Sequence, residues 1–297
     1  MHRGGVLTIG NFDGVHLGHQ AVLRSLAQTG RQLGAPSVLM TFEPQPQEFF
    51  APETAPPRLT RLREKLVVLE SCGIDAVLCL RFNDALAKLE AEDFITQLLV
   101  ERFAARHVLV GDDFRFGRQR RGDVKLLREM GAANGFRVGD MPTFELNGER
   151  VSSTRVRRAL SDGRLDDAAE LLGRPYRLYG RVVHGDGRGR TIGFPTANIE
   201  LRRRTLPLSG VYAVRVNGLG ERTYNGAANF GVRPTFGGRR AVLEVHLLDF
   251  AGDVYGKNVS VEIVDKLRDE QRFDSVDALT RQITDDVGRA RDRLACS

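Results

Sequence analysis

The sequence predicts an α/β domain followed by a β domain. In the first half, short apolar runs alternate with amphipathic helical segments; in the second, strand-forming runs are separated by Gly, Asn, Asp and Pro. The change of pattern falls after a short helical segment, 166–172, that ends at Gly173. Alternating strands and helices build a parallel sheet covered on both faces, whereas short strands joined by turns build an antiparallel barrel. We therefore divide the chain into 1–173 and 174–297. At 297 residues each part is long enough to bury its own core.

The first apolar run, Val6, Leu7 and Ile9, feeds Gly10-Asn11-Phe12-Asp13-Gly14-Val15-His16-Leu17-Gly18-His19, and a helix is expected from near Leu17 to about Gln32. Residues 37–42 read as a buried strand, followed by a Pro-rich loop to Pro57, and Thr60 is expected to cap a helix that reaches Glu70. A strand at 76–80, a helix at 91–103 and a strand at 107–110 complete the pattern. Ligands of parallel sheets gather at the carboxyl ends of the strands, so the loops after Ile9, Phe42 and Val110 should converge. In the second half strands are expected at 178–183, 211–216, 223–228, 241–248 and 259–264. A helix at 275–294 follows, with Leu279, Ile283 and Val287 at helical spacing.

Hydrophobic residues make up 41% and charged ones 28%, the balance of a soluble globular protein. No apolar stretch approaches the roughly 18 residues a membrane span needs. The lead before Val6 is too short for a signal peptide, so a cytoplasmic location is expected. Cys72, Cys79 and Cys296 lack metal-ligand spacing and are read as reduced, with Cys72 and Cys79 in the core. The net charge of +6 resides wholly in the second half. Arg202-Arg203-Arg204 suits RNA, a polyphosphate or a solvated face, and no aromatic interleaving of the stacking kind accompanies it.

The turn between the first strand and helix aims backbone N–H groups and a positive helix end at whatever sits above it, which suits a phosphate. His16 and His19, three apart, share one side of a helical turn, and each imidazole can donate to charge developing on phosphorus. A zinc pair would need one or two further ligands that the neighbourhood lacks; a purely structural turn is the other alternative. Gly10, Phe12, Asp13 and Gly18 belong to the same nucleotidyl-transfer candidate. Gly111-Asp112-Asp113-Phe114-Arg115-Phe116-Gly117 offers Asp113 to a nucleotide, or else is a tight turn with Phe114 and Phe116 in the core. Ser153 and Thr154, with Arg157 one turn on, form either a helix cap or a phosphate clamp, and the two roles are compatible.

The second half carries its own chemistry in Gly185-Asp186-Gly187-Arg188-Gly189-Arg190-Thr191-Ile192-Gly193-Phe194-Pro195-Thr196-Ala197-Asn198. Gly185, Gly187 and Gly189 let backbone N–H groups approach phosphates. Thr196 and Asn198, two apart on an extended segment, project to one side and offer neutral oxygens to Mg²⁺. Glu244, which shares a strand face with His246, is either solvent-facing or a general base at the barrel mouth.

Several separated motifs together resemble the prokaryotic bifunctional riboflavin kinase and FAD synthetase family. They are G-N-F-D-G-V-H-x-G-H, Thr41-Phe42-Glu43-Pro44, G-D-D-F-R-F-G, Ser153-Thr154 with Arg157, G-R-T-I-G-F-P-T-A-N, Gly210-Val211-Tyr212-Ala213, Asn229-Phe230-Gly231-x-Arg233-Pro234-Thr235 and Leu243-Glu244-Val245-His246. The resemblance implies a Rossmann-like nucleotidyltransferase domain and a kinase barrel with a terminal helix. It implies that riboflavin and ATP give FMN and ADP in the barrel, and that FMN and ATP give FAD and pyrophosphate in the first domain. Glu244 would then activate the ribityl hydroxyl, Thr196 and Asn198 would hold Mg²⁺, and His16, His19, Ser153, Thr154 and Arg157 would steady the ATP phosphates. The loop 266–272 and the following helix resemble the family's flavin-closing elements. Gln45 stands where many members carry His, and no loss of activity is expected from it; Asp113 stands where others carry Asn, which leaves its nucleotide contact open. Small-molecule substrates are the expected partners, with neither nucleic acid nor membrane and at most weak self-association. A nucleotidyltransferase with an RNA-binding barrel and a non-enzymatic flavin or nucleotide sensor are the competing readings; the P-T-A-N segment and Glu244 argue against the first.

Overall fold

The computed structural model describes residues 3–295 apart from 142, 186, 236 and 237, so Cys296 lies outside the described residues. The chain divides into two units, one of residues to Pro56 with Arg61–Ser152, the other of Pro57–Thr60 with residues from Ser153 onward.

In the first unit β1 (Val6–Ile9), α1 (Leu17–Leu33), β2 (Ser37–Glu43), α2 (Pro46–Phe50), α3 (Leu62–Glu70) and β3 (Ala76–Arg81) follow one another. After α4 (Asp84–Ala87), α5 (Ala91–Asp93) runs into a π-wound stretch, Phe94–Arg102, and then come β4 (His107–Val110), α6 (Val124–Ala133) and β5 (Arg137–Asp140). The five strands form a parallel sheet in the order β3-β2-β1-β4-β5. Side chains alternate across it. Leu7, Ile9 and Met40 pack with Phe94, Ile95 and Leu99, while Val6, Leu39 and Leu109 pack with Leu23 and Leu26 of α1 and Leu69 of α3. The carboxyl ends of β2, β1 and β4 are therefore neighbours, as the alternation predicts. A two-stranded ribbon, β6 (Glu145–Leu146) and β7 (Glu149–Arg150), completes the unit.

Several local expectations are corrected. Arg61, not Thr60, occupies the cap of α3, because its backbone N–H donates to Glu64 Oε2 at 2.7 Å, three residues on. The helix expected over 91–103 is α-helical only at its start; the wider turn that follows ends with Phe103 N–H donating to the carbonyl of Leu98, five residues back. Cys79 is exposed rather than core, since β3 is the sheet's edge strand and one of its sides is left open, and Cys72 is half-buried.

The second unit begins with α7 (Ser153–Ser161) and α8 (Leu165–Leu172), the latter stopped by Gly173 in the left-handed conformation. Then come β8 (Arg177–Val183), α9 (Arg188–Thr191), β9 (Ala197–Glu200), β10 (Gly210–Asn217), β11 (Tyr224–Thr235), β12 (Gly238–Leu247), β13 (Asn258–Arg268) and α10 (Val276–Ala295). Six antiparallel strands close in the order β10-β11-β12-β9-β8-β13, which abolishes sheet edges. Val214, Phe230, Leu243 and Val245 fill the interior. On the outer face Ala290 and Leu294 of α10 pack over Val211, Ala213 and Ala227. The sixth strand, β9, begins at Ala197, within the P-T-A-N segment.

Arg203 is buried, and its guanidinium donates to the carbonyls of Arg58 (2.5 Å) and Leu59 (3.4 Å). The Tyr176 hydroxyl donates to Leu59 O at 3.1 Å, and Arg157 Nε to Pro57 O at 2.6 Å. These donors hold Pro57–Thr60 within the second unit. The middle arginine of the 202–204 run thus serves inside the fold, while Arg202 is exposed and pairs with Glu200 at 3.2 Å.

Candidate active sites

The turn after β1 is built from backbone that side chains normally avoid. Phe12 (φ 47°) and Val15 (φ 43°) lie in the left-handed region on either side of Gly14 (φ 83°). For a β-branched residue such as Val15 this is costly, on the order of 1–3 kcal/mol, and it persists because both side chains are buried and Gln20 Nε2 donates to the Val15 carbonyl at 3.0 Å. The result places His16 as the N-cap of α1, its Nδ1 accepting from the His19 backbone N–H at 3.3 Å. Since Nδ1 accepts, the neutral ring carries its proton on Nε2 and can donate from there.

His19 is stacked between Phe12 (ring centroids 4.5 Å apart) and His16 (3.6 Å). Its Nδ1 is buried without a hydrogen-bond partner. Burial, then the neighbouring His16, then Lys65 hold its imidazole well below the usual histidine range, so it is neutral at neutral pH. Gly18 lies against the His16 ring, where any Cβ would come within 3.2 Å of it, and Gly10 lies against Phe12. Asp13 is buried in the same turn. Gly10, Phe12, Asp13, His16, Gly18 and His19 are therefore one constellation, with neutral donors on a helix N-terminus.

Composition and spacing do not single out Lys65. It is almost wholly buried on α3 and donates from Nζ to the Asn11 carbonyl at 2.5 Å, with Thr41 Oγ1 at 3.5 Å. Its one sequence signal is a charge on the buried side of a helix, one turn before Leu69. Asp113, exposed in the turn after β4, pairs with Arg150 at 3.1 Å. Phe116 is buried and Phe114 half-buried, stacked on each other with centroids 5.3 Å apart, so both serve the core. Ser153, Thr154 and Arg157 all lie on the first turns of α7 in the second unit.

In the barrel the strand register assembles the second constellation. Asn198 on β9 is directly opposite Glu244 on β12, and Glu244 is directly opposite Asn229 on β11. Directly paired residues project to the same face, and here it is the face opposite the buried Leu243 and Val245. Glu244 thus sits half-buried on the outer wall beside Asn198 rather than on a rim. The glycine loop closes over this row. An added Cβ at Gly185 would meet Asn198 Nδ2 at 2.2 Å, and one at Gly189 would meet the Phe194 carbonyl at 2.3 Å and Thr196 Oγ1 at 3.3 Å. Only glycine permits so close an approach. Gly187, in the left-handed conformation (φ 71°), starts the short helix α9. Thr196 and Asn198 offer hard neutral oxygens, which suit Mg²⁺ shared with a nucleotide's phosphates. Among the described residues no cluster of three His, Cys, Asp or Glu offers an all-protein metal cage.

The family model for FAD synthetase matches residues 1–155, and that for riboflavin kinase matches residues 172–294. The bifunctional riboflavin kinase/FMN adenylyltransferase of Escherichia coli strain K12 is 54% identical over 290 residues, covering 98% of this chain and 93% of the relative. The protein of the same name from Pseudomonas fluorescens is 52% identical over 291 residues, with 98% and 93% covered. A solved structure titled as a macrolide-efflux protein from Streptococcus pneumoniae superposes with a TM-score of 0.79 at 35% identity, covering 96% of this chain and 93% of that one. Efflux belongs to that title alone; among the described residues of this chain no helix is long and apolar enough to cross a membrane. With both family models matched in order and relatives of this identity along nearly its whole length, the chain belongs to the bifunctional riboflavin kinase/FMN adenylyltransferase family.

Proposed function

We propose that the chain phosphorylates riboflavin to FMN in its barrel and adenylylates FMN to FAD in its parallel-sheet domain, with residues 1–173 and 174–297 as the working modules. The observation that carries the kinase half is the row Asn198–Glu244–Asn229, with Gly185 closed down on Asn198. The ribityl hydroxyl gives its proton to Glu244 as its oxygen attacks the γ-phosphorus of ATP; the bond to the β–γ bridging oxygen breaks and ADP leaves. Thr196 and Asn198 would hold Mg²⁺, which when bound neutralises phosphate charge. Backbone N–H groups of the Gly185, Gly187 and Gly189 loop face the polyphosphate.

In the second reaction an FMN phosphate oxygen, already anionic, attacks the α-phosphorus of a second ATP and pyrophosphate leaves, so no strong base is needed. His16 and His19 act as neutral donors to charge building on the α-phosphate, supported by the N-terminus of α1. Gly10, Phe12, Asp13, Gly18 and Asp113 line the nucleotide, and Ser153, Thr154 and Arg157, on the first turns of α7, offer hydroxyls and a guanidinium to phosphate. The Arg157 Nε bond to Pro57 orients that guanidinium. The enzyme works in the cytoplasm on small molecules. Incubation with riboflavin and MgATP, with flavins separated by chromatography over time, tests the reading: FMN followed by FAD is expected. FMN alone would remove the adenylyl assignment, and no product would remove both.

A further inference from the structure

We propose that His246 is a positioning residue for phosphoryl transfer in the barrel: it holds the Pro195 carbonyl and so sets both Thr196 and the glycine loop against Glu244. The proposal rests on the kinase reading of this barrel. His246 Nδ1 lies 2.9 Å from Pro195 O. A carbonyl can only accept, so Nδ1 carries the hydrogen and donates it. The β9–β12 ladder runs through Leu243↔Ile199, Glu244↔Asn198 and Val245↔Ala197. One step further, His246 falls opposite Thr196, beyond the last paired residues. At that step the imidazole replaces the ladder, tying the chain just before Thr196 through a side chain. The same ring meets Phe194 edge-on, with centroids 5.5 Å apart. Phe194 N–H in turn donates to the Gly189 carbonyl at 2.8 Å. One imidazole therefore anchors the chain that presents Thr196 and, through Phe194, the far end of the glycine loop. Its ring needs no contact with substrate.

The test uses the full chain with His246→Ala, His246→Asn and His246→Gln. The Asn amide nitrogen reproduces the position of Nδ1, whereas that of Gln reproduces Nε2. FMN formation is measured against MgATP and riboflavin concentration, FAD formation from FMN serves as the reference for folded enzyme, and MgADP binding is followed by calorimetry. The Ala variant is expected to raise KM for MgATP roughly tenfold, the loss of one hydrogen bond of about 1.4 kcal/mol. MgADP should weaken in parallel at one site, the riboflavin KM should hold, Asn should restore most of the loss and Gln should not. If Ala does not fold, the Asn–Gln contrast decides alone. Wild-type MgATP and MgADP parameters in the Ala variant, or equal behaviour of Asn and Gln, would overturn the role. A wild-type chain that binds MgADP but makes no FMN would instead overturn the kinase reading and leave the binding contrast to judge His246.

Discussion

Replacing Gly185 with alanine separates catalysis from folding in the barrel. The backbone there is not in the left-handed region, so an L-residue meets no conformational penalty and the effect is steric alone. The new methyl would lie 2.2 Å from Nδ2, 2.4 Å from Cγ and 2.7 Å from Oδ1 of Asn198. Contact between such atoms relaxes at about 3.5 Å, so the carboxamide or the loop must retreat by about 1 Å. Turning one side chain away from its preferred rotamer costs on the order of 0.5–1.5 kcal/mol, a small loss of stability. A displacement of about 1 Å in a transfer site costs about a hundredfold in rate. Gly185→Ala should therefore retain most of its thermal midpoint while kcat/KM for FMN formation falls about a hundredfold. FAD formation from supplied FMN should be unchanged. Initial rates of both reactions on one preparation check this. FMN formation within about threefold of wild type would refute the idea that the loop's approach to Asn198 matters.

Other perturbations follow from the same geometry. Glu244→Ala should abolish FMN formation and leave FMN-to-FAD conversion, and His19→Ala should do the reverse; loss of both activities in either folded variant would contradict two independent sites. Because His19 has a lowered pKa in the folded state, the unfolded chain takes up a proton that the folded chain refuses once pH falls below about 6.5. That penalty is absent above this pH and grows below it. Wild type should then lose more thermal stability between pH 7 and pH 5 than His19→Phe, which keeps the ring stack; identical pH slopes would show that the imidazole is not held neutral. Arg203→Met removes the buried guanidinium that donates to the Arg58 and Leu59 carbonyls and should destabilise the second unit by about 1–3 kcal/mol, with faster proteolysis at Pro57–Thr60. An unchanged cleavage rate there would show that the arginine is not what holds the segment.

The sequence by itself determined what depends on neighbours along the chain. The alternation of strand and helix up to Gly173 and the strand-and-turn pattern after it announced the parallel sheet and the barrel, because each element's periodicity reports the face it buries. The start of α1 near Leu17, the spacing of His16 and His19 three residues apart, and the expected common side of Thr196 and Asn198 all concern neighbours a few residues apart in the sequence. Only the tertiary structure decided which distant residues meet. Strand register is set by closure of the whole barrel, and a slip of one residue would have turned Glu244 into the core. It is therefore the barrel that placed Glu244 beside Asn198, put His246 on Pro195 and made Ala197–Glu200 a sixth strand. The same holds for Lys65 beneath Asn11 and for Arg203 on Pro57–Thr60. Each is a charged side chain whose burial brings it onto backbone carbonyls far away in the sequence, which makes that burial tolerable.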